Sequence, residues 1–253
     1  MRARLHLRPV TWVVGKALGI MPIGAAVVVS DWLMGGRAFE RLCAAGLGGF
    51  AERLLLHRLS VPPAGAEFEG VILIAGFPKV GKSIVARAVA DSLGMRVLST
   101  GRIAKNCFLG RDSNRESSLR EVLSRICEQS RGLVLEGRHL VKVDESDNPN
   151  RPAVLSLAFD TSALSNGDVS VFAIGCCDCS AEAWESALRE YGGWINRKGD
   201  DFIQRFARTR SERSKQMREF SRNSGVEYFE IPREGFAEAV ERAAAAIVAK
   251  VRI

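Results

Sequence analysis

The sequence predicts a three-layer α/β/α domain on a five-stranded parallel sheet, preceded by a mostly helical N-terminal extension. Three observations carry that prediction. Continuous apolar runs such as Val71-Ile72-Leu73-Ile74-Ala75 and Leu133-Val134-Leu135 have the form of strands buried on both faces of a parallel sheet. Segments of helical periodicity alternate with them. A glycine-bearing segment follows the first run and opens a helix at once, as expected where a ligand sits beyond the carboxyl ends of parallel strands.

The chain has 253 residues, 47% hydrophobic and 26% charged, which excludes a disordered chain and leaves room for one large domain with an appendage. Its net charge is +7, and residues 195–222, with nine Lys/Arg against four Asp/Glu, supply +5 of it. A cluster that local fits phosphate-bearing small molecules as well as nucleic acid. Six cysteines are too few and too bunched for a secreted disulfide scaffold, so the expected compartment is intracellular and cytoplasmic. Cys176-Cys177-Asp178-Cys179 invites a zinc reading. With only three His and no second cysteine pair at ligand spacing, it reads instead as a small-residue strand end.

Residues 1–30 carry Arg2, Arg4, Arg8 and Lys16 and no acid before Asp31. This leaves three readings open: an organellar import sequence, a helical appendage, or an interfacial membrane segment. The apolar run Ala17–Ser30, interrupted by Pro22, falls short of the roughly 20 residues a membrane span needs. A loosely helical pattern, Phe39, Leu42, Cys43, Leu47, Phe50, Leu54 and Leu55, occupies 37–59. Pro62-Pro63-Ala64-Gly65 then reads as a linker, placing the domain boundary near 68.

The first strand leads into Gly76-Phe77-Pro78-Lys79-Val80-Gly81-Lys82-Ser83, a full match to G-x-x-x-x-G-K-[ST]. Its glycines let backbone N–H groups turn inward around an anion. Lys82 supplies a point charge for the β and γ phosphates, and the Ser83 hydroxyl suits Mg²⁺. The next helix carries Ile84, Val85, Ala88, Val89 and Leu93 and stops at Gly94, so its N-terminal dipole faces the phosphates. Strand, loop and helix together predict a P-loop NTPase fold that binds a nucleoside triphosphate.

Arg96-Val97-Leu98-Ser99 is the second strand, followed by Thr100-Gly101-Arg102-Ile103-Ala104-Lys105. A helix is expected near 117–130, then the strand Leu133-Val134-Leu135, ending in Glu136-Gly137-Arg138-His139-Leu140. An acidic residue at that strand tip suits Mg²⁺. His139 reads as packed or hydrogen-bonded rather than catalytic. Residues 141–167 read as irregular. Val169–Ile174 is the fourth strand, Ala181–Arg189 a helix capped by Ser180, Val226–Ile231 the fifth strand, and Phe236–Val251 the closing helix. Between them a basic helix holds Arg205, Arg208, Arg210 and Arg213. Spacing groups Arg205, Arg208 and Arg213 on its surface, with Phe202, Phe206, Met217 and Phe220 as anchors.

Over residues 70–253 the sequence resembles the P-loop nucleoside monophosphate kinase family, cytidylate and adenylate kinases included. The likeness lies in the Ser99-Thr100-Gly101 turn, a basic residue four places on at Lys105, where the family more often has Arg, and the basic stretch in the lid position. Val134-Leu135-Glu136-Gly137-Arg138 looks like the strand end of archaeal-type cytidylate kinases. Leu135-Glu136-Gly137 with His139-Leu140 is also similar to 2-phosphoglycerate kinases. The resemblance implies an ATP- and Mg²⁺-dependent kinase acting on a small phosphorylated acceptor such as CMP. Gly76, Phe77, Pro78, Lys79, Val80, Gly81, Lys82, Ser83 and Ile84 would hold ATP, Ser83 and Glu136 the Mg²⁺. Thr100, Gly101, Lys105, Gly137 and Arg138 would hold the acceptor, and Lys82, Arg138, Arg205 and Arg208 would stabilise the transferred phosphoryl. Many small-molecule P-loop kinases place an Asp after the second strand as base; Gly101 and Arg102 stand there here, which favours an acceptor that arrives already ionised. The rival readings are a 2-phosphoglycerate-type kinase and a non-catalytic ATP-binding regulator docked on a membrane through residues 1–60. Nucleic-acid binding by the basic helix is disfavoured, because no aromatic platform accompanies it.

Overall fold

The computed structural model describes residues 55–107, 115–144, 154–158, 169–191, 195 and 197–252. The chain divides into two units, Met1–Arg58 and Leu59–Ile253. Of the first, only residues 55–58 are described, and they are helical. The targeting, appendage and membrane readings of residues 1–30, and most of the helix expected over 37–59, lie outside the described residues. No described helix is long and apolar enough to cross a membrane.

The second unit runs β1 (Val71–Ala75), α1 (Lys82–Leu93), β2 (Arg96–Ser99), α2 (Thr100–Cys107), α3 (Arg115–Gln129) and β3 (Leu133–Gly137). After a 3-10 turn at Arg138–Leu140 come β4 (Val141–Asp144), β5 (Val154–Leu157), β6 (Val169–Gly175), α4 (Ala181–Tyr191), α5 (Asp200–Ser224), β7 (Glu227–Glu230) and α6 (Phe236–Val251). β2, β3, β1, β6 and β7, in that order, form one five-stranded sheet whose neighbours all pair parallel. β1 and β3 are buried at every residue, as their uninterrupted apolar runs require. β2 and β7 are only half-buried, unlike the five buried strands expected from sequence, because each is an edge with one neighbour. Ile72, Ile74, Val134, Phe172 and Ile174 share one apolar cluster with Val85, Val89 and Leu93 of α1 and with Trp184, Ile203, Ala243 and Ile247. Leu73, Leu133 and Leu135 alternate to the opposite face, the side of α2 and α3, where Ile103, Leu119, Leu123 and Ile126 are buried.

Residues 141–167 are not irregular throughout. β4 and β5 pair antiparallel, Val141 opposite Leu157 and Asp144 opposite Val154. The prolines and asparagines of 148–152 drew attention from the short β-prone runs Val141-Lys142-Val143 and Val154-Leu155 on either side. The Pro62–Gly65 stretch is likewise tied to the domain. The Arg131 N–H donates to the Leu59 carbonyl (2.7 Å) and the Glu67 N–H to that of Leu93 (2.9 Å).

α1 ends where Gly94 turns left-handed (φ 63°) and its N–H returns to the Ala90 carbonyl. A Cβ at Gly94 would stand 2.8 Å from the Gly65 carbonyl oxygen. Gly94→Ala should therefore lose about 1–2 kcal/mol for the left-handed backbone alone. Urea unfolding should show a lower midpoint with an unchanged slope.

Candidate functional site

The carboxyl ends of the strands converge on one edge of the sheet. Ala75 lies opposite Gly137 and Ala173, and Ser99 opposite Glu136. β1 gives way there to the loop Gly76–Ser83. A Cβ at Gly76 would meet the Ile174 carbonyl oxygen at 2.6 Å and Val80 at 3.2 Å, so only glycine lets the chain leave the strand here. Phe77 and Val80 are buried and anchor the loop, while Lys79 at its crest is left-handed (φ 74°). Gly81, also left-handed (φ 91°), begins α1 with no side-chain cap and no acid in the first turn. The helix thus presents uncapped N–H groups and a positive dipole end to the loop's interior. Ser83 and Ile84 follow on the exposed side.

Lys82 turns back under this loop and is buried. Its Nζ donates to the Phe77 carbonyl (3.5 Å) and pairs with Glu136 Oε2 at 3.7 Å, a distance for an ion pair rather than a hydrogen bond. Burial pushes the Lys82 pKa below its ordinary value; Glu136 opposes that shift, while Arg210 and Arg138 add to it. Glu136, at the tip of β3, is 4% exposed, and its Oε2 has no hydrogen-bond partner. Beside it Thr100 is fully buried, its Oγ1 also without a partner. Gly137 (φ 151°) makes room for that hydroxyl; a Cβ there would overlap Thr100 Oγ1. Gly101 is under no such constraint, since a Cβ would meet only Ser99 Oγ at 3.6 Å.

The arginines divide differently from the sequence reading. Arg138 is exposed, and its Nε donates to His139 Nε2 (3.3 Å), so His139 props the arginine. Arg205 and Arg208 are exposed on α5; Arg208 lies within electrostatic reach of Glu182 on α4. Arg210 faces the loop, its guanidinium 5.6 Å from the Phe77 ring centre and 4.5 Å from that of Phe206. Its Nε and Nη1 are buried without hydrogen-bond partners. Burial, with Arg138 and Arg213 adding repulsion, brings its pKa down to about 10. The sequence signal that could have found it is Phe206-x-x-x-Arg210, an aromatic and a cation one helical turn apart. The Lys105 side chain lies outside the described residues.

Lys82, paired with Glu136, thus lies within electrostatic reach of Arg138 and Arg210 at a loop that opens an uncapped helix. Such an arrangement suits a polyphosphate. The uncapped helix start, the cradle that a Cβ at Gly76 would fill and the bare Glu136 oxygen fit a nucleoside triphosphate, and Ser83 and Glu136 are the residues that would hold its magnesium. Among the described residues no group of three or more His, Cys, Asp or Glu is arranged to hold a metal ion. Cys176, Cys177 and Cys179 are free and buried. Cys177 Sγ contacts the Ser214 carbonyl (3.0 Å) and the Tyr228 hydroxyl (2.8 Å).

No family model matches the chain, and no curated protein matches it. Among solved structures it is similar to a gluconokinase from Sinorhizobium meliloti 1021, at 12% identity and a TM-score of 0.43, covering 73% of this chain and 97% of that one. It is also similar to a shikimate kinase from Bacteroides thetaiotaomicron, at 14% identity and a TM-score of 0.41, covering 70% and 98%.

Replacing Glu136 with Gln removes the charge that holds the Lys82 proton. Lys82 must be protonated to grip phosphate, and its pKa is already depressed. Affinity for metal-free ATP should therefore be lost as pH rises, and at lower pH in Glu136→Gln than in the native protein. Calorimetric titration across pH 7–10 checks the direction of that displacement.

Proposed function

We propose that the protein is a kinase that transfers the γ-phosphoryl of ATP to a small phosphorylated acceptor, a nucleoside monophosphate such as CMP. The observation that carries this reading is the imbalance of charge at the loop among the described residues: Lys82, Arg138 and Arg210 against Glu136. In the transfer, an acceptor oxygen forms a bond to the γ-phosphorus as the bond to the β–γ bridging oxygen breaks, and ADP leaves with that electron pair. Negative charge spreads over three equatorial oxygens, and catalysis is mainly a matter of positioning and neutralisation. Loop N–H groups and Lys82 hold the β and γ phosphates. Arg210, with no partner of its own for Nε and Nη1, is the group best placed to meet the moving phosphoryl. Arg138, steadied by His139, would grip the acceptor with Lys105, next to Thr100, Gly101 and Gly137. Magnesium, bound through Ser83 and Glu136, would neutralise charge shared by the β and γ phosphates. Arg205 and Arg208 would join the cage only if their exposed side chains move inward.

The acceptor class rests on an absent base. β2 ends at Ser99, directly opposite Glu136, and Thr100-Gly101-Arg102 follow with no carboxylate. Glu136 lies 3.7 Å from Lys82 and is, in this reading, the carboxylate given to magnesium rather than to the acceptor's proton. Among the described residues that directly follow β2 there is thus no carboxylate to take the proton of an alcohol with a pKa far above 7, whereas a phosphate acceptor needs none.

The test is coupled ADP release from MgATP against a panel of nucleoside monophosphates, phosphorylated three-carbon acids and plain alcohols. CMP- or UMP-dependent turnover supports the proposal. Turnover on phosphoglycerate alone would replace the acceptor with a 2-phosphoglycerate-type one. Bound ATP with silence across the panel would leave a non-catalytic regulator.

Arg210 should separate activity from stability. Arg210→Met removes a cation whose Nε and Nη1 are buried without hydrogen-bond partners and leaves an apolar side chain to pack on Phe77 and Phe206, so melting temperature should hold or rise. Turnover should fall about 10²- to 10³-fold, as for loss of one preorganised charge donor. Calorimetric melting and steady-state kinetics on one preparation check both halves.

A further inference from the structure

Arg233, in the turn between β7 and α6, belongs to no part of the site described so far. It reaches across 154 positions, and its Nη2 donates to the carbonyl of Lys79 at 3.2 Å. The same guanidinium lies 3.9 Å from the ring centre of Trp184, a residue of α4 that is fully buried. Its Nε is buried with no hydrogen-bond partner. One planar cation therefore ties together the crest of the loop, α4 and the turn after the last strand.

The residue it holds is an unusual one. Lys79 is the only non-glycine among the described residues with positive φ. A left-handed backbone at a residue with a Cβ is disfavoured and persists only where the surroundings impose it. The turn at Lys79 sets the direction of the N–H groups on either side, and those groups make the anion cradle. We infer that Arg233 is a positioning residue for nucleotide binding: its hydrogen bond keeps Lys79 left-handed, and Trp184 keeps Arg233 in place. This rests on the reading of Gly76–Ser83 as an ATP site.

A planar stacked guanidinium is not replaced by an ammonium. Arg233→Ala and Arg233→Lys should each weaken MgATP binding about tenfold, equivalent to about 1.4 kcal/mol. The KM for ATP should rise while the KM for the acceptor stays put. The decisive arm is a cycle with Lys79→Gly, since glycine takes the left-handed conformation freely. In that background Arg233→Ala should change MgATP affinity by less than about twofold.

Calorimetric MgATP titration of the native protein, the single variants and the double variant gives the answer. If the native protein does not bind MgATP, the ATP-site reading fails before this one is reached. If it binds and Arg233→Ala binds as tightly, the inference is overturned. An equal loss on Arg233→Ala in the native and the Lys79→Gly backgrounds also overturns it, because Arg233 would then touch the nucleotide itself or act through stability.

Discussion

A buried ammonium and a buried carboxylate 3.7 Å apart, Lys82 and Glu136, set the terms for everything around the loop. Taking either charge out of water alone is prohibitive, and even together the gain only approaches the desolvation penalty. Each is therefore held by the most rigid elements available. Glu136 ends a strand buried at every residue, and Lys82 begins a helix whose inner face packs into the main apolar cluster. The pair makes no full hydrogen bond, which leaves the carboxylate oxygen able to take another ligand and the ammonium able to turn toward an anion.

Two groups of polar side chains lie along the same edge of the sheet. Toward β7, Cys177, Tyr228, Glu230, Arg218 and Asp178 form a closed network in which Arg218 donates to both Asp178 and Glu230. Burial, the largest influence, holds the Cys177 thiol up at about 11, keeping it a quiet structural group near neutral pH. Toward β1 and β3, Glu136 Oε2, Thr100 Oγ1 and two nitrogens of Arg210 are buried without hydrogen-bond partners, and Ser214 Oγ, Glu227 Oε2 and Arg233 Nε are likewise bare toward β7. Native proteins rarely leave such groups bare; what sets Glu136 and Arg210 apart is that they also lie against Lys82 and Phe77 of the loop.

Much of this was legible in the chain, and the limits have physical causes. Gly76 and Gly81 announce the loop because their requirement is local: no Cβ fits one, and the other must turn left-handed. The buried strands β1 and β3 announce themselves because both faces need apolar residues. Arg210 is harder to pick from Arg205, Arg208 and Arg213, because the inward face of α5 is set by Ile203, Ala207, Ser214 and Met217 packing on distant segments. Thr100 and Gly137 stand out as part of short turns, but that one makes room for the other appears only when β2 and β3 lie side by side. Arg233 gives no signal at all, since its partners lie in segments far away along the chain.

The β4–β5 hairpin leaves the sheet at Leu140, two residues beyond Arg138, and the Ala158 N–H closes it by returning to the Leu140 carbonyl at 2.9 Å. Exit and re-entry thus meet at a single point. A change of length between them meets that clasp before it meets Glu136 or Arg138. The paired strands themselves are fastened down, with Val141 and Leu155 buried and β5 packed against α5, so tolerance to insertion or deletion is expected in the connection beyond Asp144 and Val154 rather than in the strands.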